Sequence, residues 1–422
     1  MRNCISVEVS QMPGAPHIDS DVWDIVRRTT ALLCPRTTRL MHTCILMRIR
    51  NLLLATTVTL SIALLAAANP TSSNWQLGPF TRPTSAPVIT PNKTSLFTDP
   101  IAKAPIHWES LHTFNPAAIV RDNKIYVLYR AEDDTGKMQI GEHTSRLGLA
   151  TSTDGITFTR LPEPVFYPTK DAQQSREWPG GVEDPRIVES EDGNPDSNPD
   201  QRYILTYTQW NRTTYSIGIA TSPDLQHWTK HGPAFLGASN GKYDTLKYKS
   251  GGIVTQLRNN RLIAARIHGK YWLYWGEGAI HLATSTDLIH WTPVEDASGT
   301  PTEVLTKRPG HFDSGFPEVG PPPILTEAGI VVLYNGKNDP DHGDPSLGAN
   351  AYAAGEALFD VHDPAHLIAR NEAPSLKPEQ PYEKTGQYVA GTTFAEGLVR
   401  FHNKWFLYYG CADSAVGVVT AP

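Results

Sequence analysis

Five short segments of the 422-residue chain set carboxylates, several with a cation close by, next to glycine, proline or aromatic residues. They are Arg130-Ala131-Glu132-Asp133-Asp134, Gly180-Gly181-Val182-Glu183-Asp184-Pro185-Arg186, Gly276-Glu277, Phe316-Pro317-Glu318-Val319-Gly320 and Gly410-Cys411-Ala412-Asp413-Ser414. Brought to one cavity, such groups could cleave an acetal, one carboxyl protonating the leaving oxygen while another activates the water that attacks the anomeric carbon. The neighbouring aromatic residues would suit the faces of a sugar. An isolated loop acid more often caps a turn or faces solvent. Asp184 differs, because Glu-Asp-Pro-Arg between Gly-Gly and a β-strand puts opposite charges where the backbone is tightly constrained.

The elements that must position these acids repeat along the chain. Arg146-Leu147-Gly148-Leu149-Ala150-Thr151-Ser152-Thr153-Asp154-Gly155 recurs from Ser216 to Leu225 and from Ala279 to Leu288, followed each time by an aromatic residue, Phe158, Trp228 or Trp291. The pattern predicts a strand, a tight turn capped by an Asp side chain, and a further strand. A second element, short, aromatic and β-branched, occurs five times, at 125–130, 203–207, 271–275, 330–335 and 405–409. Its tyrosines, Tyr129, Tyr207, Tyr274, Tyr334 and Tyr408, are 60 to 78 residues apart, enough for one four-stranded sheet plus long loops. Five such units predict an all-β fold, a five-bladed β-propeller with a central active-site cavity. A β-sandwich is the alternative, since it too is built of short strands with regular turn signals.

Composition agrees with a globular chain: 40% of residues are hydrophobic and 19% charged. A net charge of −6 supplies no broad positive field for nucleic acid or an anionic membrane, so a neutral ligand is expected. Met47-Arg48-Ile49-Arg50, the apolar run Leu52 to Leu65 and Ala66-Ala67-Ala68 read as a secretory signal starting at an internal methionine. The expected organisation is therefore residues 1–46 as a misassigned upstream start, 47–68 as signal peptide and 69–422 as one catalytic domain. That domain would be secreted or periplasmic, with no stable membrane insertion after cleavage. Beyond Met47 only Cys411 remains, so no internal disulfide is expected.

Taken in order, Asn115-Pro116-Ala117, Tyr129-Arg130-Ala131-Glu132-Asp133, Gly181-Val182-Glu183-Asp184-Pro185-Arg186, Gly320-Pro321-Pro322-Pro323 and Tyr409-Gly410-Cys411-Ala412-Asp413 resemble the motifs of glycoside hydrolase family 130. The resemblance covers about residues 95 to 422. It implies a five-bladed propeller and an inverting enzyme, either a mannoside phosphorylase or a β-1,2-mannosidase, with a mannose-containing oligosaccharide as its partner. Asp184 falls on the family's general acid, whose proton is thought to pass through the sugar's 3-hydroxyl. Asn115, Arg130, Asp133, Arg186 and Asp413 fall on motifs lining the mannose subsite.

Where the family's phosphorylases carry His, Arg and Lys, this chain reads Tyr-Trp-Gly-Glu at 274–277 and Phe-Pro-Glu-Val-Gly at 316–320. Two acids there would repel phosphate. Glu277 and Glu318 resemble the glutamate pair that orients and deprotonates water in the mannosidase branch. The expectation is a secreted inverting β-mannosidase acting on β-1,2 linkages. A phosphorylase would need cations elsewhere in the cavity, such as Arg212, Lys249, Arg266 or His268; a catalytically silent glycan-binding propeller is the third reading. Gly237-Ala238-Ser239-Asn240-Gly241 fits a nucleophile elbow only formally, lacking the strand-to-helix context. Fifteen scattered histidines, with no His-Glu-x-x-His and no Cys pair, predict no dedicated metal site, and no cofactor is expected.

Overall fold

The computed structural model describes residues 75–190 and 201–422. The segments read as an upstream start (1–46) and a signal peptide (47–68) lie outside the described residues.

Strands such as Lys124–Glu132 and Tyr203–Trp210 are rich in aromatic and β-branched residues and are buried at nearly every position. They pack on both faces, so a continuous apolar run replaces the alternation of a half-exposed strand. In chain order the strands form five antiparallel groups. The first comprises His112–Arg121, Lys124–Glu132, Ser145–Ser152 and Thr159–Arg160. The second comprises Gly181–Glu189, Tyr203–Trp210, Tyr215–Ser222 and Thr229–Pro233. The third contains Gly251–Ile253, Lys270–Trp275, Ile280–Ser285 and Thr292–Pro293. The fourth contains Phe316–Val319, Gly329–Lys337, Tyr352–Phe359 and Leu367–Arg370. The fifth has Thr393–Phe401, Lys404–Cys411 and Ala415–Ala421, and its outer edge is taken by the segment Thr81 to Ile89 through backbone bonds to Thr420 and Val416. A single parallel bridge, Ser145 to Gly181, joins the first two groups, and the hairpin Thr255–Arg258/Arg261–Ala264 makes another, from Ile263 to Glu189 of the second. Each of the five aromatic elements seen in the sequence lies in the second strand of its group.

The repeat has a packing reason. Tyr129 and Tyr207 lie opposite Gly148 and Gly218 on the adjacent strands. A Cβ on either glycine would stand 2.4 or 2.5 Å from the facing ring, so the glycine is the floor on which the tyrosine lies. The Asp-capped turn forms as expected: Asp154 Oδ1 accepts the N–H groups of Ile156 and Thr157 at 2.8 and 2.7 Å, and Asp224 and Asp287 repeat the pattern.

Apolar clusters lie between the groups. Leu128, Leu149 and Phe166 of the first pack with Ile187 and Leu205 of the second. Ile204 and Ile219 meet Leu273 and Trp291; Tyr274 and Leu282 meet Val332 and Phe359; Val331 and Leu358 meet Leu398 and Leu407. The fifth group closes on the first through Phe401, Phe406 and Tyr408 against Ile125, Val127 and Tyr129. The fold is all-β. Its only α-helix among the described residues is the four-residue turn Gln174–Glu177, no helix there is long and apolar enough to cross a membrane, and Cys411 is a buried free thiol.

Candidate active site

Three of the first strands break their regular pairing. Register slips between Phe114 and Pro116, between Glu183 and Arg186, and between Ala395 and Gly397. Pro116 and Pro185 sit at two of these bulges, where a residue without an N–H costs no ladder bond. Asn115 and Asp184 adopt positive φ, +42° and +48°, and Ser250, just before the third group's first strand, does so at +60°. Left-handed backbone at a non-glycine residue costs about 1–3 kcal/mol, and bulges re-aim side chains. Here they turn Asn115 and Asp184 into an open cavity of about 310 Å³. Its apolar walls include Phe114, Trp210, Tyr215, Tyr352, Tyr388 and Phe394.

On one side of the cavity Asp184 Oδ1 accepts Asn115 Nδ2 at 2.8 Å and Arg130 Nη1 at 3.1 Å. The same guanidinium donates to Glu132 and Glu183 at 2.7 and 2.8 Å. Burial alone would push the Asp184 carboxyl up; Arg130, Lys249 and the Asn115 amide outweigh it and hold the group below the ordinary aspartate range. Its neighbours go the other way. Burial lifts Glu183 to about 7 against the pull of Arg130, and Asp413 is likewise pushed up to about 7 by burial beside Asp184 and Glu132.

On the other side, Glu277 and Glu318 come from the third and fourth groups, their backbones joined by an isolated antiparallel bridge. Lys249 Nζ lies between them, 3.4 Å from Glu277 Oε1 and 3.5 Å from Glu318 Oε1. Burial opposes the lysine's charge, but the two glutamates outweigh it and keep the ammonium protonated. Glu318 is 1% exposed, takes the Ser250 hydroxyl on Oε1, and has no protein partner on Oε2. Burial raises its carboxyl to about 7 although Lys249 pulls it down. Glu277 is more open.

Six of the eight residues expected from the sequence therefore meet at one cavity: Asp184, Glu277, Glu318, Asn115, Arg130 and Asp413. Two do not line it. Asp133 is turned away, its Oδ2 bound to Arg146, which also holds Asp99, and its Oδ1 bound to Thr135; it is one end of a buried ion-pair chain. Arg186 lies beneath the floor, donating to the carbonyls of Gly320 at 2.9 Å, Val319 at 2.7 Å and Asp184 at 3.0 Å, with Glu396 3.0 Å away. It ties the backbone of the acid to the two residues that follow Glu318 and leaves no free fork for substrate. Of the four cations named for a phosphorylase, Lys249 lines the cavity. Arg266 lies over Tyr271, His268 contacts the His362 carbonyl, and Arg212 faces Glu142. Sequence reasoning passed over Glu183, although it stands next to Asp184 in the same motif. It also passed over Glu396, a fully buried acid set among Phe394, Ala395, Gly397 and Leu398, which that placement alone could have flagged.

The chain is similar to known proteins over most of its length. A 1,2-β-oligomannan phosphorylase of Thermoanaerobacter sp. (strain X514) is 32% identical over 320 residues, covering 75% of this chain and 92% of the relative. The crystal structure of a glycosyl hydrolase from Bacteroides ovatus is 50% identical with a TM-score of 0.78, covering 82% of this chain and 94% of that one. Another structure, described as coming from a family of mannoside phosphorylases that contains glycoside hydrolases targeting β-1,2 mannosidic linkages in Candida mannan, is 50% identical with a TM-score of 0.79 over the same shares. The glycoside hydrolase family 130 profile, described as β-1,4-mannooligosaccharide phosphorylase, matches residues 87–422. That span contains every strand group and every side chain around the cavity, and the chain belongs to glycoside hydrolase family 130.

Proposed function

We propose that this enzyme is an inverting β-mannosidase that hydrolyses β-1,2-linked manno-oligosaccharides. The observation that carries the reading is the charge of the cavity. Five carboxylates line it, Glu183, Asp184, Glu277, Glu318 and Asp413, against two cations, Arg130 and Lys249, each already engaged by carboxylates. The carboxylates outnumber the cations even with Glu183, Glu318 and Asp413 only partly ionised near pH 7, so a dianionic phosphate entering the site meets net repulsion. A neutral sugar and a water molecule do not.

In this reading Glu318, through its unpartnered Oε2, removes the proton from the attacking water, and Glu277 helps to hold that water. Lys249 keeps the two glutamates apart while tempering their repulsion. Asp184 is the acid for the leaving oxygen, with Asn115 and Arg130 fixing its orientation. Because Arg130 favours its ionised form, Asp184 works as an acid once a bound sugar has displaced water and raised its proton affinity. The five strand groups, with apolar clusters linking each to the next and the fifth to the first, support a five-bladed propeller as the scaffold. The proposal includes residues 69–422 as one catalytic domain and export through residues 47–68.

A phosphorylase is the second reading. It is favoured by the curated relative, a 1,2-β-oligomannan phosphorylase, and by Lys249 as a cation at the cavity. Incubation with β-1,2-mannobiose over a phosphate titration separates the two. Mannose released at a rate independent of phosphate is expected; turnover that requires phosphate and yields mannose 1-phosphate would establish the second reading in place of the first.

A further inference from the structure

Behind the Arg130 side of the cavity, two histidines and a glutamate meet. His112 opens the strand His112–Arg121 and pairs directly across the hairpin with Glu132, which closes the strand Lys124–Glu132. His143 stands two residues before Ser145, the cross-strand partner of Glu132. The three side chains bring one ligand atom each to within 4.8 Å of the others. Glu132 and His143 are buried, 1% and 2% exposed.

Each imidazole already uses its Nδ1. His143 Nδ1 lies 3.1 Å from the Thr135 carbonyl, an acceptor only, so Nδ1 carries the proton and Nε2 presents a lone pair. His112 Nδ1 lies 2.9 Å from Ser414 Oγ, whose lone pairs can take its N–H together with that of Gln387. Outer hydrogen bonds of this kind orient metal-binding histidines. Glu132 gives Oε1 to Arg130, while Oε2 holds only a long contact of 3.2 Å from Gln387.

We propose that His112, Glu132 and His143 form a binding site for a divalent transition-metal ion of the zinc type. Two imidazole nitrogens and one carboxylate oxygen are its preferred donors, with a fourth position left to water. Bonds of about 2.0–2.1 Å set tetrahedral ligands about 3.3 Å apart, so the side chains close by at most about 1.5 Å on binding. The ion would pin both ends of the loop 133–144, which supplies Ile140 and Gly141 to the cavity wall, and so acts as a clip rather than in the reaction. No short motif marks the site, because its ligands are gathered from three separate stretches of chain at or near strand ends and not along one helix.

The test uses the full chain, stripped with a chelator and dialysed against zinc chloride. One zinc ion per chain is expected by elemental analysis, with cobalt giving a ligand-field spectrum in the visible range. His112→Ala and His143→Ala should each weaken zinc binding by at least ~10-fold. His227→Ala, in an exposed pair with Asp224, should not change it. Zinc binding that is absent from the wild type, or within threefold of wild type in both variants, overturns the proposal. If a variant fails to fold, wild-type crystals soaked in zinc decide. An anomalous peak between the three side chains supports the site, and its absence there overturns it.

Discussion

Replacing Glu318 by glutamine should slow the enzyme and strengthen the fold together. Glutamine keeps the volume and still accepts the Ser250 hydroxyl, but it cannot take a proton from water. The loss of a general base is expected to cost ~10²- to 10⁴-fold in kcat with KM within a few fold. The stability effect follows from burial. Glu318 is held at about 7 in the folded enzyme against 4.5 for a free glutamate. Between those values the native state binds more protons than the unfolded one, so its stability falls as pH rises. At about 1.4 kcal/mol per pH unit the penalty reaches about 3 kcal/mol once Glu318 is ionised. The neutral amide escapes it, so Glu318→Gln should melt higher than wild type at pH 8 and close to it at pH 4.5. The same carboxyl must be ionised to act as a base, so wild-type kcat/KM should climb as pH rises through about 7. The checks are thermal melts at both pH values and mannobiose kinetics from pH 5 to 9. A variant that keeps more than half of wild-type kcat would remove Glu318 from the mechanism. One with reduced stability at pH 8 would refute the burial argument.

The product should appear first as α-mannose if the substrate is a β-mannoside, which proton NMR of the early reaction reads directly; β-mannose first would contradict inversion. Asp133→Asn should lower the melting temperature by weakening the buried Arg146 pair, at a cost of about 3–5 kcal/mol if the pair is fully lost, while KM stays within a few fold. A selective rise in KM would return Asp133 to the substrate site. Gly218→Ala should destabilise by about 1–3 kcal/mol, since its Cβ would meet the Tyr207 ring at 2.5 Å. A denaturant melt unchanged from wild type would mean that the tyrosine is free to move.

What the sequence disclosed about this site depended on how each residue is held. Asp184, Asn115 and Asp413 were legible because the motifs that bear them carry the signs of broken strand geometry, proline, glycine and paired charges, and all three adopt positive φ. Glu277 and Glu318 were legible as acids in segments where the family's phosphorylases carry cations, but their partnership through Lys249 joins residues 28 and 69 positions apart, which no local pattern encodes. Asp133 misled for a related reason. It directly follows the strand Lys124–Glu132, whose Arg130 reaches the cavity, but its own carboxylate turns to Arg146 on the next strand. The five aromatic elements marked their strands correctly because each tyrosine needs buried space. What orders the groups around the cavity is packing between distant segments, and that is invisible to periodicity.

The edge segment Thr81 to Ile89 has a consequence for the making of the protein. Its hydrogen-bonding partner is the strand Ala415–Ala421, more than 300 residues later. A ribosome delivers the first half of this seam long before the second, so residues 81–89 wait without their mate while four sheets can already assemble. During that interval the fifth group is missing, and the apolar face of Ile125, Val127 and Tyr129 has nothing from it to cover it. Nascent chains are then most exposed to wrong pairing, at a sheet edge and an apolar face together. The strand Ala415–Ala421 then supplies the partner for both ends of the segment, and its Val416 and Val418 add to the cover that Phe401, Phe406 and Tyr408 give that apolar face.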